Sequence, residues 1–293
     1  MVIDFLIQQR TTALLGIIEF MNNRSIGVFD SGVGGLTVAA EIMKKLPNEN
    51  LVYFGDTARF PYGTKTPEQL IDYTFEIVKY LQAQDVKLVV VACNSASAAA
   101  LERAQEEFDI PIIGVVEPGA RAAVLASKNR HIGVIGTEAT INSDAYKKAI
   151  HVFDAGAEVY SAACPTFATF VENGHVDGDH INEIAQKYFE PLNEHQVDTL
   201  ILGCTHYPLL SANIQKAIGE DVQIISSAEE TALEVTEILE RKDQLRSEQQ
   251  PDYHFISTGE GSKFNKLGSR FLGKEIESVE TVKLPLAQSS AVS

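Results

Sequence analysis

The sequence predicts an α/β fold with two similar lobes, each a mainly parallel sheet flanked by helices, and an active site in the cleft between them. Short β-rich runs alternate with helical stretches along the chain, as they do in sheets built from βαβ units. Several runs are apolar throughout, which is typical of strands buried on both faces. Residues 88–95 and 199–206 repeat one pattern, an apolar strand followed by a small residue, a Cys and polar residues.

Local sequence signals predict where individual helices and strands begin and end. Thr66 is a predicted N-cap, followed by Pro67 and, two residues later, a Gln that completes a capping box. Ser226 and Glu229 predict a second capping box. The charged, apolar-poor stretch 241–250 is predicted to be a surface connection. The predicted strands are residues 26–29, 51–54, 88–92, 112–115, 132–135, 158–161, 199–202, 222–225 and 254–257.

Length and composition exclude several classes of protein. The 293 residues favour two domains at about 150 residues each. Apolar residues make up 45% and charged residues 22%, which excludes a disordered, collagen-like or coiled-coil chain. A net charge of −16 repels phosphate and anionic lipid, so we expect neither nucleic acid nor membrane as a general partner. Three cysteines are too few for a disulfide framework, and with no export signal a cytoplasmic location is predicted.

The domain boundaries are predicted from these patterns. Residues 1–24 are expected to be an N-terminal extension outside the fold, with Met21 the natural start; the alternative is a short helix packed on the body. The first lobe is predicted to contain residues 25–117 and 227–285, which include Asp30 and Cys93. The second lobe is predicted to contain residues 118–226, which include Cys204. Residues 286–293 are expected to form a flexible tail.

Two of the cysteines are candidates for catalysis. In an open α/β sheet, ligands bind outside the carboxyl ends of the strands. A Cys at such a strand end, beside a helix N-terminus, is favoured as the thiolate. Cys93 and Cys204 both fit this description. The alternative is a buried structural Cys, which we prefer for Cys164 because Pro165 follows it and polar residues do not.

A pair of matched thiols restricts the chemistry. They do not form the CxxC motif of a thioredoxin-like dithiol, and a zinc site needs more ligands than Cys204 and His206. A single-thiol hydrolase leaves the second Cys unexplained. The remaining use is as two acid/base groups on opposite faces of one carbon, which inverts a stereocentre. We therefore predict no cofactor and no metal.

Other candidate residues lie in loops. The turn 30–38 is rich in glycine, but Thr37 stands where a dinucleotide fingerprint requires Gly, so we expect the glycines to permit close backbone approach to a small anion. Asp30 either assists a neighbouring thiol or caps this turn. Tyr62 and Gly63 either supply a backbone amide to a carboxylate or form an ordinary turn. Glu172 is either functional or simply solvated.

Together, several motifs resemble the signature set of bacterial glutamate racemases. They occur in the expected order between about residues 26 and 271. The motifs are Asp30-Ser31-Gly32-Val33-Gly34-Gly35-Leu36-Thr37-Val38, Gly55-Asp56-Thr57-Ala58-Arg59, Pro61-Tyr62-Gly63, Cys93-Asn94-Ser95-Ala96 and Gly203-Cys204-Thr205-His206-Tyr207-Pro208.

The resemblance implies cofactor-independent interconversion of L- and D-glutamate, which supplies D-glutamate for peptidoglycan. It implies that Cys93 serves the D-enantiomer and Cys204 the L-enantiomer, with Asp30 and His206 assisting. Glu172 matches an acidic residue of the family, and family members commonly form homodimers. The implied substrate contacts are Asp30, Ser31, Tyr62, Gly63, Asn94, Ser95, Thr205 and His206.

The sequence departs from the pattern of glutamate racemases at two places. Ser95 replaces the usual Thr but keeps its hydroxyl, and residues 165–170 differ from the proline-containing pattern of relatives.

The nearest rival is an aspartate racemase or a related two-cysteine isomerase. A rival of another class is a non-catalytic, two-lobed small-molecule binding protein, which has no need of matched thiols. Closure of the lobes is expected to exclude water, with a hinge near Glu117 and Ser226.

Overall fold

A computed structural model of the chain describes residues 22–284 and contains two parallel sheets. The predictions for residues 1–21 and 285–293 lie outside the described residues. The six-stranded sheet has the order β10-β9-β2-β1-β3-β4, and the four-stranded sheet has the order β6-β5-β7-β8. The strands are β1 (Ile26–Asp30), β2 (Leu51–Gly55), β3 (Leu88–Val91), β4 (Ile112–Gly114), β5 (His131–Gly136), β6 (Glu158–Ala163), β7 (Thr199–Gly203), β8 (Gln223–Ser226), β9 (Tyr253–Ser257) and β10 (Glu280–Thr281).

The helices connect these strands and cover the sheets. They are α1 (Leu36–Lys45), α2 (Pro67–Ala83), α3 (Asn94–Glu107), α4 (Val116–Ala126), α5 (Glu138–Asn142), α6 (Ala145–Phe153), α7 (Pro165–Glu172), α8 (Asp179–Glu194), α9 (Ser211–Ile218), α10 (Ser227–Arg241) and α11 (Gly261–Leu272), with short 3₁₀ helices at Tyr62–Thr64 and Tyr207–Leu210. No helix within residues 22–284 is both long enough and apolar enough to cross a membrane.

The predicted fold class and every predicted strand are confirmed, with strand ends shifted by one or two residues. The central strands β1 and β3 are buried along their whole length, as their unbroken apolar sequences require. Alternate residues of these strands enter the cores on opposite faces of the sheet, Val90 on one face and Val91 on the other. The short edge strand β10 was not predicted, because two exposed residues show no hydrophobic pattern.

The predicted helix start at Thr66 is confirmed. Its hydroxyl accepts a hydrogen bond from the Gln69 amide at 3.3 Å, and the Gln69 side chain accepts one from the Thr66 amide at 3.1 Å. The second predicted capping box is incomplete. Ser226 Oγ accepts a hydrogen bond from the Ala228 amide at 3.4 Å, whereas the Glu229 carboxylate lies 3.7 Å from Lys45 Nζ instead.

The connection 241–250 is exposed over most of its length, as predicted, but it is tied down at two points. The fully buried Lys87 ammonium donates to the Gln244 carbonyl at 2.7 Å and pairs with Glu49 Oε2 at 2.6 Å. The Arg246 amide donates to the other oxygen of Glu49 at 2.8 Å. These long-range contacts cannot be read from the local composition.

The chain passes between the two sheets twice. Residues 26–114 and 253–281 supply the six-stranded sheet, and residues 131–226 supply the four-stranded sheet. The first passage is helix α4, which packs into the core of the four-stranded sheet through Val116, Ala120 and Ala123. The second is the junction of β8 and α10 at Ser226. Both sheets therefore turn their strand ends towards a shared cleft.

Candidate active site

The carboxyl ends of the two sheets meet inside the molecule. Strand β1 ends at Asp30, β3 ends just before Cys93, and β7 ends just before Cys204. A direct hydrogen bond joins the two lobes here, because Thr205 Oγ1 donates to Asp30 Oδ1 at 3.2 Å. The sequence-predicted residues of both lobes are therefore brought together at one cleft.

The glycine-rich turn after β1 lies against the opposite lobe. A Cβ atom on Gly34 would overlap Thr205 Oγ1 and lie 2.6 Å from His206 Nδ1, distances that real Cβ atoms do not adopt. A Cβ atom on Gly32 would lie 3.2 Å from Glu172 Oε1. These glycines therefore permit close contact with the second lobe, and the approach of a small anion to this turn stays a prediction.

Asp30 has one of the two roles that the sequence left open, because it caps the turn; assistance to a neighbouring thiol stays a prediction. One carboxylate oxygen accepts a hydrogen bond from the Gly32 amide at 3.0 Å and so caps the turn, while the other contacts Thr205 across the cleft. The side chain is completely buried. Burial raises the pKa of Asp30, and the positive charge of His206 opposes that rise.

Cys93 is the N-cap residue of α3 and is only 5% exposed. Burial raises the pKa of the Cys93 thiol, and the negative charge of Asp30 raises it further. Hydrogen bonds from the Ala96 amide and the Ser31 side chain act in the opposite direction. The prediction that the helix N-terminus favours a thiolate is therefore wrong for Cys93, because desolvation outweighs the helix dipole.

Cys204 has a contrasting environment. Its Sγ atom lies 3.8 Å from His206 Nδ1, and His206 Nε2 lies 2.9 Å from Glu172 Oε1. Burial alone would lower the pKa of His206, but the hydrogen bonds to Cys204 and Glu172 raise it to about 10. At neutral pH a positive charge therefore lies beside Cys204, whereas a carboxylate is the ionisable neighbour that acts most strongly on Cys93.

The rings of Phe60 and Phe271 enclose the His206 imidazole, each with its centroid 5.5 Å from the imidazole centroid. Glu172 reaches the imidazole from the last turn of α7, and its side chain is 15% exposed. The apolar rings exclude water from the ion pair, which strengthens the attraction between the two charges.

Asn94 and Ser95 form the first turn of α3 and bond to the opposite lobe. Ser95 Oγ lies 2.9 Å from Thr137 Oγ1. Tyr146 donates its hydroxyl hydrogen to Asn94 Oδ1 at 2.6 Å. The buried Asn94 Nδ2 has no hydrogen-bond partner among residues 22–284. A buried amide without a partner is costly, so Nδ2 is a donor available to a ligand.

Gly63 lines the approach to the cleft, and the adjacent Tyr62 belongs to a hydrophobic core. Tyr62 is 1% exposed and donates its hydroxyl hydrogen to Asp56. A Cβ atom on Gly63 would lie 2.6 Å from Thr137 Cβ, so this glycine also permits contact between the lobes. Neither position is an ordinary exposed turn.

Two cavities open between the lobes near this approach. One of about 320 Å³ is lined by Pro61, Gly63, Thr137 and Phe170 among others, and one of about 440 Å³ extends from Gly63 to helix α5. Cys204 is 7% exposed, and Cys93 is slightly more buried at 5%. The lobes are therefore closed over both thiols. Within residues 22–284, no group of three or more His, Cys, Asp or Glu side chains is arranged to hold a metal ion.

Several residues of the site were not predicted. Thr137 directly follows strand β5, just as the two cysteines follow their strands. This position at a strand end could have identified Thr137 as a candidate site residue. Tyr146 and Phe271 lie inside helices, where the local sequence gives no sign of the cleft. Cys164 was predicted to be structural, and it is completely buried in the core.

Two α/β lobes whose strand ends enclose a pair of thiols are the arrangement that the sequence predicted for an isomerase. Residues 35–235 match the model of the Asp/Glu/Hydantoin racemase family. The chain belongs to this family, and relatives 43–49% identical over most of its length place it among the glutamate racemases.

Those relatives match over almost their whole lengths. The glutamate racemase of Geobacter metallireducens is 49% identical over 262 residues, which cover 89% of this chain and 97% of the relative. The crystal structure of a glutamate racemase isoform from Bacillus anthracis superposes with a TM-score of 0.87 at 49% identity, covering 90% of this chain and 99% of that one. The glutamate racemase of Francisella tularensis in complex with D-glutamate superposes with a TM-score of 0.84 at 38% identity, covering 89% and 98%.

Proposed function

We propose that this protein interconverts L- and D-glutamate without a cofactor, using Cys93 and Cys204 as two acid/base groups on opposite faces of the α-carbon. The observation that supports this most strongly is the pairing of two buried thiols in unlike environments. One has the imidazolium of His206 beside it and the other has the carboxylate of Asp30 nearby. A racemase needs one thiolate and one thiol at the start of each turnover.

The proton balance follows from this asymmetry. In the L to D direction, the Cys204 thiolate takes the α-proton from one face, while the Cys93 thiol gives its proton to the other face. The product is the opposite enantiomer, and the two sulfurs end with exchanged protonation states. The burial that raises the pKa of Cys93 keeps it a thiol before the step, and the His206 imidazolium stabilises the negative charge on Cys204.

The negative charge that develops at the α-carbon spreads into the adjacent carboxylate. Fixed donors in a dry cleft stabilise that charge better than water does. Asn94 Nδ2 is buried and has no partner in the described part of the chain, so it is the donor that we assign first. The proposed substrate contacts remain Asp30, Ser31, Tyr62, Gly63, Asn94, Ser95, Thr205 and His206, with Glu172 holding His206.

Lobe closure is part of the proposal. Both thiols are buried in the closed arrangement, so glutamate enters only when the lobes separate. We place the lobe boundaries at residues 117/118 and 226/227, with the hinge at these two chain passages. A homodimer and a cytoplasmic location remain predictions from the sequence.

The test is a chiral assay of the dialysed, chelator-treated protein with L-glutamate, D-glutamate and L-aspartate in separate reactions. We expect both glutamate enantiomers to be converted and aspartate to be a poor substrate. Cys93→Ser and Cys204→Ser should each abolish racemisation, whereas Cys164→Ala, which alters a thiol in the core, should retain it. Equal turnover of aspartate would support the related isomerase instead. Binding of glutamate without turnover by the unaltered protein would favour a binding protein.

A further inference from the structure

One hydrogen bond between the lobes involves a residue outside the assigned site. Tyr146, on helix α6 of the second lobe, is 3% exposed and donates its hydroxyl hydrogen to Asn94 Oδ1 at 2.6 Å. Asn94 is the first residue of α3 in the first lobe and directly follows Cys93. This bond therefore connects the second lobe to a proposed substrate donor.

The bond determines whether the oxygen or the nitrogen of the Asn94 carboxamide remains available to a ligand. With Oδ1 occupied by the Tyr146 hydroxyl, the donor Nδ2 is left without a partner among the described residues. In the opposite orientation, Nδ2 would bond to the tyrosine oxygen and Oδ1 would face the ligand, where it would repel a carboxylate. Burial raises the pKa of the Tyr146 hydroxyl, so this group keeps its proton and remains a donor.

The Tyr146 side chain contacts both passages between the lobes, α4 through Gly119 and the start of α10 through Ser227, and it also lies against strand β7. A Cβ atom on Gly119 would lie 3.4 Å from its Cε1 atom, and a Cβ atom on Gly203, the residue before Cys204, would lie 3.1 Å from its Cε2 atom. The Ser227 side chain also bonds to the hydroxyl. Because α6 and α3 belong to different lobes, the bond to Asn94 requires the closed arrangement.

We propose that Tyr146 is a positioning residue that holds the Asn94 carboxamide with Nδ2 facing the substrate carboxylate, and does so only when the lobes are closed. The inference rests on the proposed glutamate racemase function. It links closure to the orientation of a donor, so that the site is completed at the moment when water is excluded.

The test is a double-mutant cycle with Tyr146→Phe, which removes only the hydroxyl, and Asn94→Ala. We expect Tyr146→Phe to lower kcat/KM for both enantiomers about tenfold, since one hydrogen bond to a charged group is affected. The loss should appear in both KM and kcat, because Nδ2 holds the substrate carboxylate before the step and that carboxylate gains further negative charge during proton transfer. In the Asn94→Ala background, Tyr146→Phe should change kcat/KM less than about twofold.

Tyr160→Phe is the matched control, because its hydroxyl donates to the exposed Glu158 carboxylate on edge strand β6, away from the cleft. This variant should retain wild-type kinetics. A Tyr146→Phe variant with wild-type KM, or one whose defect persists in full in the Asn94→Ala background, would overturn the inference while leaving the racemase function intact. An unaltered protein that fails to racemise glutamate would refute the proposed function and this inference with it.

Discussion

The imidazole of His206 and the carboxylate of Glu172 meet at 2.9 Å, joining the loop after β7 to the last turn of α7. The opposite ring nitrogen of His206 faces Cys204 Sγ at 3.8 Å. This arrangement keeps His206 protonated up to a pH of about 10. Glu172 therefore acts on Cys204 through His206, by keeping a positive charge beside the sulfur.

Replacement of Glu172 by Gln should move the alkaline limit of activity to lower pH. Loss of the carboxylate lowers the pKa of His206 from about 10 towards the ordinary histidine value of 6.5. Because the imidazolium stabilises the Cys204 thiolate, kcat/KM for L-glutamate should then fall at a pH roughly one unit lower than in the wild type. The measurement is the pH profile of kcat/KM.

The matched control for this change is Glu260→Gln. Glu260 lines the same small cavity as Glu172, but its side chain bonds to Ser262 and is exposed. Its replacement should leave the profile in place. An alkaline limb that stays at the wild-type pH in Glu172→Gln would contradict the role given to Glu172.

Gly34→Ala should impair activity far more than folding. The added methyl group would overlap Thr205 Oγ1 and crowd His206 Nδ1 from the other lobe, so the lobes could not close fully. A displacement of about 1 Å in an active site lowers the rate by about 100-fold, and we expect at least that loss in kcat/KM. The melting temperature should change little, since each lobe keeps its own core.

Gly156→Ala is the comparison for that experiment, because the nearest atom to its added methyl group is a guanidinium nitrogen of Arg130, at 3.3 Å, and the Arg130 side chain is largely exposed. It should retain activity. Wild-type kcat/KM in Gly34→Ala would show that close contact of the turn with the second lobe is unnecessary.

The three cysteines should react with iodoacetamide in a fixed order. Alkylation requires the thiolate and access to it. Cys204, beside the His206 imidazolium, should react first; Cys93 should react at least about tenfold more slowly, because burial and Asp30 raise its pKa. The completely buried Cys164 should remain unmodified until the protein unfolds. Peptide mass spectrometry over time gives the order, and faster labelling of Cys93 than of Cys204 would contradict the assigned asymmetry.

The fold class and the strand positions could be predicted from the sequence, and several of the proposed site residues lie at the predicted strand ends. Buried parallel strands are recognisable from apolar runs, and residues at strand ends such as Asp30 and Cys204 follow directly from the strand positions. The glycines of the turn after β1 were predicted to permit close approach of a small anion, but their contact with the second lobe could not be predicted, because the sequence does not show which elements lie opposite Gly34.

Features that depend on packing between distant elements could not be predicted. The pKa of Cys93 is set by desolvation, which exists only after both lobes enclose the thiol. Tyr146 lies on an amphipathic helix whose pattern shows burial and nothing of its hydroxyl bond to Asn94. The buried pair of Lys87 and Glu49 likewise joins residues far apart in the chain.

The most direct test of the two-base mechanism is racemisation of L-glutamate in heavy water, with both recovered substrate and product analysed at early times. If Cys204 removes the α-proton and Cys93 delivers a solvent-exchanged proton from the other face, the D-glutamate formed should contain deuterium at the α-carbon. The recovered L-glutamate should not. Deuterium appearing in recovered substrate as fast as in product, or product that retains the original proton, would show that one group acts on both faces and would contradict the assignment of two thiols.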